Sequence, residues 1–459
     1  MKKMVKQYEW NGLDLEKLRL VMDKPSDDAV ESIFQSQSMA QLRTILKDMA
    51  INDSFVSEKL PKPMHDFVQG ELNYTFSDDD IANFEATHHI WKKHGMQFIF
   101  ILFFRALPYT YMAEKPANVL RITKLLETHT ERRIFETAQF VFDVMDRNWW
   151  EPGKRGIMTA LKIRIMHSSM RHVILDENKT GDQWNMDWGK PISQEDLVAT
   201  NQVFSLEFFK GMSMLGKTLD VKDQQAWFHT WKTIGKLMGV QDNLISKDVD
   251  EAWKLQHKIY DHLFNDETHS GIALAKALVE TLHHFHLPLK LILLIMRALL
   301  ADEQFPDCFT RMLGPTYKDE YPDVFKEHQT QEERDKHQLL LNLHFRDHLK
   351  EYHTTLTEKR NDYVKKQGVF KRFSEWLLET LGIRKKRSHL YDKHLGLFHN
   401  ILHDDKGNVV EKFEEHMIVN SMSAFGGIFI SILSLYFRKG KNSGFRIPGS
   451  LQDNWDLKG

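Results

Sequence analysis

The sequence predicts an all-α protein, and three observations carry that prediction. Glycine and proline are sparse, with 23 and 12 residues among 459. Apolar residues recur at three- and four-residue spacing along most of the chain, which is the period of an amphipathic helix. The alternation of apolar and polar residues that is typical of strands is hard to find. We therefore expect one large helical domain, with further helical segments before and after it.

Composition narrows the class of protein. Hydrophobic residues make up 42% and charged residues 27% of the chain, which is typical of a soluble globular protein. A formal net charge of -2 gives no positive field for nucleic acid, so we expect no nucleic-acid partner. The single cysteine, Cys308, excludes a disulfide framework and a cysteine-based zinc site.

Hydropathy predicts a cytoplasmic protein. The basic start of the chain is not followed by an apolar stretch of the kind found in signal peptides. The longest apolar runs stop short of the ~18 residues that a membrane helix needs. We therefore predict no transmembrane segment. The basic residues 384–387 leave peripheral contact with a membrane surface open.

The chain divides into three predicted regions. Residues 1–70 form a helical lead-in, residues 71–317 form the main helical domain, and residues 318–459 form a more highly charged helical extension packed on the core. Ser77 and Ser193 each precede acidic residues and are expected to cap helices. An apolar helix from Met96 is expected to end at Pro108, because proline removes a helical hydrogen bond.

A histidine lies within an apolar stripe on the helix predicted near residues 155–175. Met166, His167 and Met170 share one helical face, with isoleucines one turn before and after them. A neutral imidazole on an apolar wall suits an axial ligand of haem iron, and the wall itself suits the porphyrin. A hydrogen-bonded core histidine is the alternative interpretation.

Two arginines lie one turn from this histidine, Arg164 three residues before it and Arg171 four residues after it. A planar guanidinium pairs well with carboxylates, so the two residues are candidates to bind the haem propionates. Two ordinary surface arginines would give the same spacing.

The preceding predicted helix carries Arg133 and Thr137, which are four residues apart and share a face. A buried guanidinium beside a hydroxyl is costly unless it has a partner, and a bound oxygen species would be such a partner. An exposed arginine with a core threonine is the alternative.

Other histidine groupings suggest a different metal centre. Glu85 and His88 form one E-x-x-H motif, and Glu280 and His283 form a second. Two such motifs occur in di-iron carboxylate bundles. Zinc at the histidines of residues 283–286, or at residues 344 and 348, also stays open.

Four motifs in order are similar to a known family, that of the latex-clearing proteins (rubber oxygenases) and MpaB-type oxygenases. The R-x-x-x-T pair is followed by R-x-x-H-x-x-x-R over residues 164–171. Then come the segment WGKPISQEDL at 188–197 and an H-x-W-x-x-x-G-x-x-x-G-V pattern at 229–240. The resemblance covers roughly residues 70 to 300.

The resemblance implies an all-helical fold around one haem b. By match, His167 takes the axial role, and Arg133 and Thr137 lie on the distal side. Glu136 stands where rubber oxygenases can carry a lysine that closes the resting site. The nearest carboxylate to the family's catalytic glutamate is Glu114, at an imperfect spacing.

The sequence therefore predicts a haem b-dependent oxygenase. Its partners would be O2 and an apolar isoprenoid or lipid-like molecule, oxidised or cleaved at a C=C bond. Two alternatives stay open at this point, a non-haem di-iron oxygenase and a haem-binding sensor or carrier without turnover.

Overall fold

The structure is a computed structural model that describes residues 10–36, 60–122, 130–151, 153–176, 184–264, 268–284 and 289–326. Within these ranges the chain is helical and contains no strand, which confirms the all-α prediction. The fifteen α-helices are α1 (Leu15–Leu18), α2 (Lys24–Ser36), α3 (Lys62–Leu72), α4 (Asp78–Ile101), α5 (Leu107–Thr110), α6 (Glu114–Ile122), α7 (Thr130–Val144), α8 (Arg155–Leu175), α9 (Gln194–Met214), α10 (Val221–Leu237), α11 (Val249–Leu263), α12 (His269–His284), α13 (Leu289–Leu299), α14 (Cys308–Tyr317) and α15 (Pro322–Phe325).

Two helix starts agree with their sequence signals. The Ser77 side chain accepts a hydrogen bond from the Asp80 N–H at the start of α4, and the Asp80 carboxylate accepts one from the Ser77 N–H. Ser193 and Asp196 form the same reciprocal capping box at the start of α9. Both predicted caps are confirmed.

The predicted helix end at Pro108 is wrong. The chain passes from α4 through a π-helical segment, Leu102–Ala106, directly into α5. Pro108 lies in the first turn of α5, where its missing N–H costs no hydrogen bond within that short helix. The proline therefore marks a change of helical winding and not an end.

The core is built where α10 packs against α4 and α9. Aromatic rings fill this contact: Phe98 lies 5.2 Å from both Phe208 and Trp227, and those two rings lie 4.7 Å apart. Close edge-to-face and tilted packing of this kind stabilises the contact beyond simple burial. The three helices form a rigid frame beside the cavity described below.

A charged network lies buried next to this frame. Arg105 Nε donates to Glu207 Oε2 at 2.7 Å, and Tyr260 donates its O–H to Glu207 Oε1 at 3.0 Å. Arg105 also pairs with Asp302 at 3.1 Å. Because every charge has a partner of opposite sign, the network avoids the cost of an isolated buried ion.

The described part of the lead-in is bound tightly to α8. Asp23, just before α2, accepts hydrogen bonds from Arg164 Nε at 2.6 Å and Nη2 at 2.9 Å. One turn on, Asp27 accepts from Arg171 Nε at 2.8 Å. Two ion pairs therefore fix α2 along α8.

The segment 188–197 holds the lead-in from the other side. The Trp188 carbonyl accepts from Arg19 Nε at 2.8 Å and Nη2 at 2.7 Å. The Lys190 N–H donates to the Arg19 carbonyl, and the Gln194 N–H donates to the Val21 carbonyl, each at 2.8 Å. These hydrogen bonds therefore fix residues 19–21 against the segment 188–197.

Several predictions of the sequence fall outside the described ranges or stay untested. The predicted extension is described only to residue 326, so the basic residues 384–387 and the histidines at 344 and 348 lie outside. The division into 1–70, 71–317 and 318–459 stays a prediction. In the part of the chain that is described, every helix is too short or too polar to cross a lipid bilayer.

The buried Asp23–Arg164 pair yields a stability prediction. Asp23→Ala removes one of the two carboxylates that pair with the buried Arg164 guanidinium. The free energy of unfolding should therefore fall by about 3 kcal/mol or more. Asp28 in α2 is the matched control, because its side chain is 63% exposed and pairs with Lys24 in solvent. Asp28→Ala should cost under about 1 kcal/mol. Denaturant unfolding measures both, and equal losses would contradict the anchoring role of Asp23.

Candidate functional site

A cavity of about 300 Å³ lies between α6, α7, α8, α9, α10 and α11. Its lining is mostly aliphatic, aromatic and methionine side chains. A concave apolar cavity with few polar groups is the usual form of a small-molecule site. The polar groups in it therefore carry the information about what it binds.

His167 lines this cavity from the middle of α8. Met166 and Met170 lie beside it on the same wall, as the helical stripe in the sequence predicts. Almost all of α8 is buried, whereas His167 is half-buried. The imidazole is therefore accessible from within the cavity.

The opposite wall is aromatic. Phe204 of α9 stacks on Trp231 of α10, with ring centroids 4.5 Å apart and planes 12° apart. Phe140 of α7 meets both rings edge-on at about 6 Å. Flat, rigid walls of this kind suit a flat or unsaturated ligand.

The two predicted distal residues both lie on α7. Thr137 lines the cavity, so the structure brings Thr137 and His167 to the same space. Arg133 lies one turn earlier on α7, and its side chain lies outside the described residues. The neighbouring Glu136 is buried and does not line the cavity.

Arg164 and Arg171 have other partners than those suggested by the sequence. Arg164 pairs with Asp23 and with Glu71 at 3.0 Å, and Arg171 pairs with Asp27. Burial alone would lower the pKa of Arg164, but the two carboxylates raise it above its usual value. Neither arginine lines the cavity. Their contacts assign both to anchoring the lead-in and give no support to a role in binding propionates.

The Glu114 carboxylate is also engaged in hydrogen bonds within the protein. Its carboxylate accepts hydrogen bonds from the Ser270 N–H at 2.8 Å and the Gly271 N–H at 3.3 Å, at the start of α12. Asn118 Nδ2 donates to it as well, at 3.2 Å. The residues around it, Ala113 and Pro116, line the cavity, but Glu114 does not. A carboxylate at a helix N-terminus is favoured by the free N–H groups and the helix dipole.

Most of the polar side chains around the cavity already have partners. Asp196 accepts from Arg19 and from the Ser193 N–H. Tyr260 donates its only O–H to Glu207, and burial together with that carboxylate raises its pKa well above the usual value. Gln256 is fully buried and donates through Nε2 to the Ala199 carbonyl at 3.2 Å.

The two E-x-x-H motifs do not form a metal centre. Among the described residues, no group of three or more histidine, cysteine, aspartate or glutamate side chains comes together closely enough to hold an ion. Glu280 and His283 are exposed near the end of α12, and His88 contacts the Met145 carbonyl. Among the described residues, the di-iron interpretation and zinc at His283 and His284 therefore lack the ligand geometry they need, whereas His286, His344 and His348 lie outside the described ranges.

Sequence reasoning missed the residues that arrive from far along the chain. Asp23, Asp27 and Glu71 lie some 90 to 145 residues before the arginines they bind, and no local pattern links them.

Comparison with known proteins places these features in a family. Residues 91–327 match the family model of the "ER-bound oxygenase mpaB/B'/Rubber oxygenase, catalytic domain". The chain is 23% identical over 268 residues to the rubber oxygenase of Streptomyces sp. (strain K30), a match that covers 56% of this chain and 63% of that protein. The structure is similar to that of latex clearing protein in the closed state, with a TM-score of 0.53 and 19% identity over 72% of this chain and 91% of that one.

The position of Glu114 predicts a structural effect. Glu114→Gln keeps one accepting oxygen but removes the negative charge that faces the α12 N-terminus. The free energy of unfolding should therefore fall by about 1 kcal/mol. Glu303→Gln, at an exposed position, is the control and should be neutral. Thermal or denaturant unfolding measures both variants. A Glu114→Gln protein as stable as the wild type would contradict the capping role.

Proposed function

The chain belongs to the family of the ER-bound oxygenase mpaB/B' and rubber oxygenase catalytic domain, and on that basis we propose that it is a haem b-dependent oxygenase that uses O2 to oxidise an apolar isoprenoid or lipid-like molecule. One observation carries the proposal: His167 and Thr137 line a single apolar cavity within the matched domain. The residues to which we assign roles lie on the cavity wall or on the helices that form it.

The residues present fit haem b at the iron ligand and at the walls. A half-buried imidazole between two methionines provides the nitrogen donor, and aromatic and aliphatic side chains provide apolar surfaces for a porphyrin. His167 would hold the iron. When bound there, the haem would supply the activation of O2.

The cavity walls exclude water and orient the substrate. The stacked Phe204 and Trp231 rings and the methionines on α8 carry no charge. A hydrocarbon chain can therefore lie against them without removing water from a charged group. A dry site also strengthens each polar interaction made inside it. Substrate selection therefore depends on shape and on a small number of hydrogen bonds.

Thr137 and Arg133 are proposed to act on the oxygen side of the reaction. The Thr137 hydroxyl can orient an oxygen atom in the cavity by a hydrogen bond. Arg133, one turn earlier on α7, is proposed to stabilise negative charge that develops on oxygen. Glu114 has no place in this scheme, because its carboxylate caps α12.

The substrate and the location stay proposals. The match spans 63% of the Streptomyces rubber oxygenase, so the activity of that whole protein is not carried over. A small isoprenoid or lipid stays the substrate class that we propose. The cytoplasmic location stays a prediction of the sequence.

The role of His167 predicts a spectroscopic result. After reconstitution with haemin, His167→Ala should lose most of the Soret absorption of the wild type, because the iron loses its protein ligand. Circular dichroism should stay helical, since the side chain faces a cavity.

His172→Ala is the matched control on the same helix. Its ring stacks on Phe34 at 3.7 Å and contacts Glu31, away from the cavity. This variant should keep the haem spectrum. A normal Soret band in His167→Ala would overturn the assignment of the iron ligand.

The role of Arg133 predicts a loss of turnover without loss of haem. Arg133→Ala should reduce O2 consumption by about 10²–10³-fold, the effect of removing one preorganised donor. Arg121→Ala, at an exposed position on α6, is the control and should retain the rate. An oxygen electrode with geraniol and a short polyisoprene as substrates measures both. Wild-type protein that binds haem yet consumes no O2 with any isoprenoid would favour a carrier.

A further inference from the structure

His262 of α11 lies between two carboxylates that come from distant parts of the chain. Its Nδ1 lies 2.7 Å from Glu195 Oε1 at the start of α9, and its Nε2 lies 3.0 Å from Glu16 Oε1 of α1. The Glu195 side chain is fully buried, whereas the Glu16 side chain is 75% exposed. The imidazole therefore bridges α1 to two longer helices.

The two contacts require one proton more than a neutral imidazole carries. Ionised carboxylates only accept hydrogen bonds, and a neutral imidazole has a single N–H to donate. A further proton on either His262 or Glu195 places a hydrogen between Nδ1 and Oε1, and Nε2–H is then free to donate to Glu16. The bridge is therefore complete only while this proton is bound.

The charges around His262 favour the additional proton. Among the described residues, three acidic and two basic side chains act on the bridge from α1, α6, α9 and the turn after α1: Glu16, Glu195, Asp196, Arg19 and Lys115. On α11 itself, Lys258 and Asp261 have other partners. The hydrogen bond to Glu195 and, to a smaller extent, the one to Glu16 raise the pKa of His262 above its usual value, although burial opposes them.

The bridge lies directly behind the cavity wall. The two residues that follow His262 on α11, Leu263 and Phe264, line the cavity, and so does Asp196, which follows Glu195 on α9. Asp196 also pairs with Arg19, just after α1. The position of α1 is therefore coupled to two helices that form the cavity.

We propose that His262 is a proton-dependent latch that holds α1 against α9 and α11, and that this latch opens as the pH rises. Loss of the proton leaves one N–H, which stays with the buried Glu195, because the exposed Glu16 carboxylate can be hydrated instead. Below about pH 6.5 an imidazole is protonated with or without its partners, so the full stabilisation is present there. It is lost as the pH rises through the higher pKa that His262 has in the folded protein. The inference does not depend on the proposed cofactor or substrate.

Hydrogen–deuterium exchange of the full chain, followed by mass spectrometry, measures the latch. The backbone N–H groups of Leu18 and Arg19 donate within α1 and report its local opening. After correction for the intrinsic exchange rate, their protection in the wild type should fall about three- to fivefold between about pH 6 and about pH 8.5, the effect of one partly exposed ion pair. The amides of α10, in the core, are the internal reference and should keep their protection.

Two substitutions remove the titration and keep a polar side chain. Glu16→Gln carries an amide that can donate to a neutral Nε2, and His262→Gln carries no group that titrates near neutral pH. Both variants should show α1 protection that is equal at the two pH values to within about 1.5-fold. His172→Gln is the matched control, because His172 Nδ1 contacts Glu31 of α2 at 2.9 Å, away from the bridge. This variant should keep the wild-type response.

Equal protection of α1 at both pH values in the wild type would overturn the proposal, and so would a response that survives in Glu16→Gln. Glu16→Gln alters an exposed side chain, so it decides the matter even if His262→Gln does not fold. A parallel fall in the protection of α10 would show a global loss of stability and would also contradict a local latch.

Discussion

The buried ion pair between Asp23 and Arg164 is the interaction on which the site depends. It joins the lead-in to α8, the helix that presents His167 to the cavity. The backbone of Gly239 packs directly against this pair. Gly239 lies at φ +93°, and a Cβ there would clash with the Asp23 carboxylate. Removing either partner of a buried charge pair is costly. Because Arg171, two turns further along α8, pairs with Asp27, α8 is held to the lead-in at two points.

The same anchoring accounts for the segments that are shared with the family in the sequence. Gln194 of the 188–197 motif donates to the Gly239 carbonyl at 2.9 Å and accepts from the Gln241 N–H at 3.0 Å, so it joins two motifs. His229 of the H-x-W pattern contacts Asp80 at the start of α4 at 2.6 Å. These motif residues build the frame. Chemistry is left to a few side chains on an otherwise apolar wall, where each hydrogen bond counts for more because water is excluded.

The sequence predicts the helical class, two helix caps and the cavity face of α8, because these depend on local spacing. His167 and Thr137 were found for the same reason, since each lies on a periodic stripe that faces the cavity. The partners of Arg164 and Arg171 could not be found that way, since Asp23 and Asp27 approach from about 140 residues away. Pro108 was misread as a helix end because it lies in the first turn of α5, directly after a π-helical segment.

We propose that iron is held by His167 inside the cavity between α7, α8 and α10. Anomalous diffraction at the iron edge from crystals of the haem-reconstituted protein locates the metal. We expect a single strong peak within bonding distance of an imidazole nitrogen of His167, on the cavity side of α8, in the space that Thr137 also lines. A peak bound by another side chain, or well-ordered crystals with a haem-filled surface site and no density at His167, would contradict it.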